Sequence, residues 1–369
     1  MIGAGVNAQV DVYDEAGASL ASERVYLSQS VIRPGEMGLI VLELPQGLQP
    51  AVAQVSDLES DRVVPDQPVD LALGAVRQAA DLDLGQVTLV TELQNGSDRP
   101  VVIESVLGLL MTGEGEVLAH QFDWIYAPQL LPGESTPVSI SWYNVSPSLI
   151  QEVERIEILP EARFTDEPRE TALTLSASTH VYFDVEGKPH LVGLLRNDGS
   201  QPERPVLLGS LYDEAGGLLD CNADWGMPPV LLPGMATAFD LSYWPMLELQ
   251  PDLAPQVASF DLRVDAYNSY APQEYEILRV ESFEANWSLT GDTVIVEGTA
   301  DVPAGVYDDV FAILLLTDPA SGEIIAAGRG YLYEEGSGWS LHGQLSPDPA
   351  YDLTGAELLM DVYADRLVE

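Results

Sequence analysis

The side chains best suited to chemistry are few. Four histidines, His120, His180, His190 and His342, could ligate a metal or carry protons, and one cysteine, Cys221, could act as a nucleophile. None of the histidines stands in a His-x-His or His-Glu-x-x-His spacing. His180 and His190 flank one predicted hairpin, which could bring them close, but no spaced carboxylate motif accompanies them. Cys221 occupies the place that Ser22 and His120 hold in earlier copies of the repeat described below, so a packed, inert thiol is expected there. Carboxylates abound. Asp308-Asp309, Glu334-Glu335 and Asp14-Glu15 are adjacent pairs, yet nothing marks one as the pair set across a cleft that a glycosidase needs. No Gly-x-Ser-x-Gly, phosphate-cradling glycine loop or EF-hand loop occurs. The chain therefore reads as a non-enzyme, with no catalytic residue, cofactor-binding residue or metal ligand assigned. Calcium is the one cofactor the acids allow, at looser sites near module joints, with Asp66, Asp166 and Glu167 the nearest acids.

The aromatics divide into two groups. Trp124 and Trp225 follow Asp123 and Asp224 at matched positions, which points to a recurring core. Trp287 and Trp339 have no such counterparts. They are the candidate binding aromatics, as a sugar-stacking platform or an adhesive hot spot.

Charge narrows the partners. Lys and Arg total 15 against 59 Asp and Glu, a net charge of −44, and the one lysine is Lys188. Such a surface repels phosphate backbones and anionic lipid heads, which excludes nucleic acid and membrane surfaces as expected partners. Like charge is expected to keep the chain soluble and monomeric; a high-salt habitat or weak divalent-cation binding would fit it too. One cysteine allows no intrachain disulfide, and no apolar run reaches a membrane span of about 18 residues. Met1-Ile2-Gly3-Ala4-Gly5 has neither the basic start nor the apolar stretch of a signal peptide.

The elements that must position these residues repeat. Val12-Tyr13-Asp14-Glu15-Ala16-Gly17 returns as Leu211-Tyr212-Asp213-Glu214-Ala215-Gly216, with weaker copies ending at Gly115 and Gly322; the glycines are 98, 101 and 106 residues apart. Arg33-Pro34-Gly35-Glu36, Leu131-Pro132-Gly133-Glu134 and Leu232-Pro233-Gly234-Met235 keep step, their prolines 98 and 101 apart, and Asn95-Gly96 and Asn197-Asp198 are spaced by 102. These are turn signals. Between them the apolar residues alternate. Val138, Ile140 and Trp142 form one such set, Phe239, Leu241 and Tyr243 another, and Ile40, Leu42 and Leu44 the equivalent strand in the first repeat. Val87, Leu89 and Leu93 do the same. Short strands separated by turns predict an all-β fold: tandem immunoglobulin-like β-sandwich modules, as beads on a string.

The proline- and acid-rich joints Val64-Pro65-Asp66-Gln67-Pro68, Thr165-Asp166-Glu167-Pro168 and Ala271-Pro272-Gln273-Glu274 set the boundaries. They give a truncated repeat over 1–64, full repeats over 68–165 and 170–270, and a divergent one over 275–369. The first is two strands short at its start. The expectation is that Met1 is not the native start, or that the chain is a fragment whose lost part held a signal peptide.

The order strand, Asn-Gly-like turn, strand, Leu-Tyr-Asp-x-x-Gly, strand, Pro-Gly-Glu, strand resembles the FxLYD-type immunoglobulin-like domain of bacterial extracytoplasmic proteins. Asn197-Asp198-Gly199, Leu211 to Gly216 and Leu232-Pro233-Gly234 carry the resemblance, with Val12-Tyr13-Asp14 and Arg33-Pro34-Gly35-Glu36 in the first repeat. The leading phenylalanine is absent, since Gly209 and Val10 stand in its place. The resemblance implies a place outside the cytoplasm or at the cell surface, a structural or interaction role, and no catalytic residues. A stalk or scaffold that docks other surface proteins is expected, with exposed sheet edges available to partner strands. The alternative is an array of carbohydrate- or calcium-binding modules.

Overall fold

A computed structural model describes residues 2–27, 31–32, 38–42, 44–45, 50–64, 69–124, 129–166, 171–224, 230–266, 275–305, 307–335 and 338–367. Outside the described residues lie Trp225, Asp66, Glu167, Pro34-Gly35-Glu36 and most of the three joints; the side chain of Trp124 is likewise not described. The fold is all-β, built of antiparallel sheets, with short helical segments at Pro147–Glu152, Pro245–Leu249 and Pro251–Gln256. Among the described residues no helix is long and apolar enough to cross a membrane.

The chain divides into two compact bodies. The first comprises Met1–Ala72, Gln94–Glu134 and Glu152–Asp166; the second comprises Leu73–Leu93, Ser135–Gln151 and Glu167–Glu369. The division runs through the second repeat, whose strands contribute one sheet to the first body and the greater part of another to the second.

In the first body, strand Ile2–Tyr13 pairs with Ser19–Tyr26, Val31–Ile32 and Val52–Val64. Val6, Ala8, Val10 and Val12 are buried along it at the period of two expected for a half-covered strand. The hairpin turn that follows is built as its sequence demands. The Asp14 carboxylate accepts the N–H groups of Ala16 and Ala18 at 2.9 and 2.8 Å, and Gly17 takes a φ of 78°. Asp213 repeats the arrangement with Ala215 and Gly217 at 2.9 and 2.8 Å.

Among the described residues, the strand expected at Ile40, Leu42 and Leu44 is not formed. Among the described residues there, Ile40 makes only an isolated bridge to Leu27. Its counterpart Ala236–Leu241 is held by pairing with Pro189–Asn197, and Ser135–Trp142 is held likewise by Gln86–Asn95. The described part of the first repeat has no equivalent of those two partner strands, so the alternation has nothing to pair with.

In the second body the third repeat forms two sheets. One contains Leu173–Leu175, His180–Phe183, Pro189–Asn197 and Ala236–Leu241; the other contains Pro205–Tyr212, Leu218–Asp224 and Ser259–Ala266. Leu191, Leu195, Leu207, Leu211, Phe239 and Leu241 share the core between them. Alternation breaks at one point. Tyr243, expected to face inward, is 47% exposed because the strand ends at Leu241. Trp244 is buried in its place, and its indole N–H donates to the Pro189 carbonyl at 2.8 Å.

Asn197 does more than turn the chain. It is fully buried, and its Nδ2 donates to the carbonyls of Gln201 and Leu231, each at 2.8 Å, while its Oδ1 accepts the Gly199 N–H at 2.8 Å. Its backbone N–H and carbonyl also bond Met235 and Gly234 of the Leu-Pro-Gly turn. Asn95 makes the same latch in the first body, with Nδ2 on Arg99 at 2.8 Å and Leu130 at 3.1 Å.

The fourth repeat is one seven-stranded sheet rather than two facing ones. Its order is Tyr275–Val280, Glu357–Leu367, Tyr307–Thr317, Ile324–Glu335, Gly338–Leu345, Thr293–Ala300, Phe283–Thr290. It curls into a half-barrel, so that Val280 near one edge and Val294 near the other join a core with Leu314, Leu341 and Val362. Gly330 and Gly343 face each other across two strands, and a Cβ on either would run into the Leu314 side chain or its neighbours. Paired glycines let the sheet bend this sharply.

The third and fourth repeats meet on a packed face. Tyr182, Val192 and Ala238 from the third bury against Phe311, Ile313, Leu315, Ile324, Ala327 and Tyr363 from the fourth. The sheet carrying Pro189–Asn197 is thus apolar on both sides, with Leu191 and Leu195 in one core and Val192 in the other. The joint is a shared core, a closer union than a bare linker between beads supplies.

Candidate functional site

At one rim of that joint, the hairpin from His180–Phe183 to Pro189–Asn197 places three side chains together. Its turn repeats the Asp-capped design: the Asp184 Oδ1 accepts the N–H groups of Glu186 and Lys188 at 2.9 and 2.8 Å. The antiparallel register sets Tyr182 opposite His190. Their rings stack with centroids 5.0 Å apart and planes within 3°. The His180 ring is tilted against Tyr182 with centroids 6.0 Å apart, and the register sets His180 opposite Val192, so each histidine neighbours the tyrosine. Among the described residues no group of three or more His, Cys, Asp or Glu side chains is arranged to hold a metal.

His190 is held between two carboxylates. Its Nδ1 lies 2.8 Å from the Asp240 Oδ2 and its Nε2 3.5 Å from the Asp184 Oδ2; the three side chains are 6, 10 and 11% exposed respectively for His190, Asp240 and Asp184. Burial by itself would lower the imidazole pKa. The hydrogen bond and charge of Asp240, with the charge of Asp184, outweigh it, and the net direction is upward. The two carboxylates thus favour the charged form of the ring, with Nδ1 in hydrogen-bond distance of Asp240 and Nε2 facing Asp184. Tyr182 stays a neutral phenol, pushed up by burial and by Asp240, Asp348 and Asp184. Its O–H donates to the Ser346 carbonyl of the fourth repeat at 2.5 Å.

His190 also lines a polar cleft of about 420 Å³ with Asp184, Lys188, Tyr243, Glu248 and Asp292. A second cleft of about 530 Å³ adjoins it, sharing Val185, Asp292 and Pro347, and is lined by Trp287, Leu289, Tyr351 and Leu353. Trp287 sits on the edge strand Phe283–Thr290, half-buried, with one side backed by the fourth-repeat core. Trp339 is also half-buried and packs on that core, with Tyr307 set edge-on to its ring at 6.2 Å; it does not line either cleft.

The remaining expected sites fall elsewhere. Cys221 is buried in the third-repeat core, on a strand that pairs it with Ser210. Asp166 pairs with Arg99 at 3.0 Å. Asp220 carries no motif that marks it in the sequence. It is fully buried, with its Oδ2 accepting the Leu247 N–H at 2.8 Å and its Oδ1 accepting the Cys221 N–H at 2.7 Å. Burial pushes this carboxyl up to about 7 against those bonds. It anchors the start of the Pro245–Leu249 helix.

Compared with known proteins, the chain matches no family model and no curated protein sequence.

Proposed function

We propose that the chain is a non-catalytic structural or interaction protein, a stalk or scaffold of immunoglobulin-like modules at a bacterial surface. The shared core at Phe311 and Tyr182 supports this reading, because a joint with its own apolar core resists bending where a bare linker would not. The FxLYD-like turn pattern and the uniform acidity fit the same role.

Two measurements test it. Protease added to intact cells is expected to cleave the protein. Single-molecule pulling of the full chain is expected to release residues 171–367 in one event, lengthening the tether by about 690 Å at roughly 3.5 Å per residue. Protection from the protease, or separate low-force release of the third and fourth repeats, would argue against a surface stalk.

One observation favours a second reading. The indole of Trp287 lines an open cleft with Tyr351 and three acids, Asp292, Asp348 and Asp352, the combination that stacks on a sugar ring and accepts its hydroxyls. A panel of neutral polysaccharides is expected to change tryptophan fluorescence in the wild type, and Trp287→Ala to abolish the change while Trp339→Ala keeps it. A flat response across the panel removes this reading.

A further inference from the structure

We propose that the Asp184–His190–Asp240 cluster is a pH-responsive clamp on the joint between the third and fourth repeats. This goes beyond the stalk reading and does not depend on it. The geometry supplies the coupling. Tyr182 belongs to two structures at once: it stacks on His190, and it lies in the joint core while donating to Ser346. Whatever moves His190 moves a member of the joint.

The charges around His190 set the direction. From its own hairpin come Asp184, Glu186 and Lys188, with Lys188 turned to Glu186 at 3.5 Å. From strand Ala236–Leu241 comes Asp240, whose Oδ1 is buried without a hydrogen-bond partner among the described residues and which feels Asp224. Tyr243 and Glu248 line the adjoining cleft, and the fourth repeat presents Asp292 there and Asp348 toward Tyr182. Among the described residues lining that cleft, Lys188 is the other cation and turns to Glu186, which leaves His190 as the group placed to offset the two buried acids.

Deprotonation leaves a neutral ring with one N–H. One nitrogen lone pair then faces a carboxylate oxygen, and two nearly buried carboxylates lose their counter-charge. The folded pKa lies above the value of 6.5 for a free imidazole. The clamp's contribution is thus full below that value and is lost as pH rises through the folded pKa. At the acid end, protonation of Asp240, whose carboxyl burial pushes upward, ends the pairing from the other side.

The test joins two readouts on the full chain. In a histidine NMR titration, the resonance that disappears in His190→Gln is expected to have its midpoint above 6.5. In hydrogen exchange corrected for intrinsic rates, the amides of 311–315 and 324–327 are expected to exchange about tenfold faster at pH 9 than at pH 6.5. His190→Gln should show no such difference. A midpoint at or below the free value, or the same acceleration in His190→Gln, overturns the proposal. If His190→Gln does not fold, Asp184→Asn serves instead. It should lower the His190 midpoint and move the exchange transition down with it, and an exchange transition that stays put while the midpoint moves is equally fatal.

Discussion

Asn197→Asp is expected to destabilise the second body by about 4 kcal/mol at pH 7. Asn197 is fully buried, and its Nδ2 bonds two carbonyls that no other described side chain is shown to serve. An aspartate would turn oxygen toward oxygen at both, and would bring a negative charge where water cannot reach. Burial raises the new carboxyl's pKa, so the deficit grows as pH rises from about 4, the range in which the unfolded chain already ionises. At lower pH the protonated acid can donate to one carbonyl and part of the loss is recovered. Asn197→Ala should cost about 2 kcal/mol without that pH dependence. Urea melts at pH 5 and pH 7 separate the two, and an Asp variant within about 1 kcal/mol of wild type at pH 7 would dispose of the latch.

Phe311→Ala should cost about 3–5 kcal/mol, the usual range for emptying a fully buried phenylalanine site. The ring also carries the Arg329 guanidinium 4.5 Å above its centroid and packs 5.9 Å from Tyr363. At 2–4 °C per kcal/mol for a unit of this size, the melting temperature falls by about 10 °C. Calorimetry should show more than a shift. With the shared core intact, the third and fourth repeats melt together. With Phe311 gone, the fourth-repeat core around Leu314 and the third-repeat core around Leu207 remain whole, so the transition should split in two. A uniform downward shift with a single peak would mean that the joint does not transmit cooperativity.

The hairpin turns were readable because their chemistry is local. An aspartate three residues before a glycine reports its own fold, as Asp14 and Asp213 do. What escaped depends on partners far along the chain. Asn197 looks like a turn residue in the sequence, and its role as a latch depends on the carbonyl of Leu231, 34 positions on. Tyr243 and Trp244 differ by one position, and only the end of the strand decides which goes inside. The clamp at His190 draws one acid from its own hairpin and the other from position 240, with no fixed spacing to betray them. The packed joint did leave a trace. Strict alternation describes a strand with one wet face, whereas Leu191-Val192-Gly193-Leu194-Leu195 and Phe311 to Leu316 are unbroken apolar runs, as two buried faces require. The single curled sheet of the fourth repeat left less, because the glycines at 330 and 343 only acquire meaning once their strands are neighbours.

The latch has one more consequence, on the timescale of protein ageing. Asn95 is followed by Gly96, the pair in which a glycine nitrogen most readily attacks the asparagine side-chain carbonyl, expels ammonia and leaves aspartate or its isomer after hydrolysis. That attack needs a free glycine nitrogen and a side chain able to swing toward it. Here the Gly96 N–H donates to the Asp70 carbonyl at 2.8 Å, the Asn95 Oδ1 accepts the Ser97 N–H at 2.9 Å, and Nδ2 is tied to Arg99 and Leu130. The folded state therefore stops a chemical clock that runs in the open chain. Deamidated Asn95 would accumulate only as fast as that turn unlatches, and each conversion would install in the first body the lesion that Asn197→Asp models in the second.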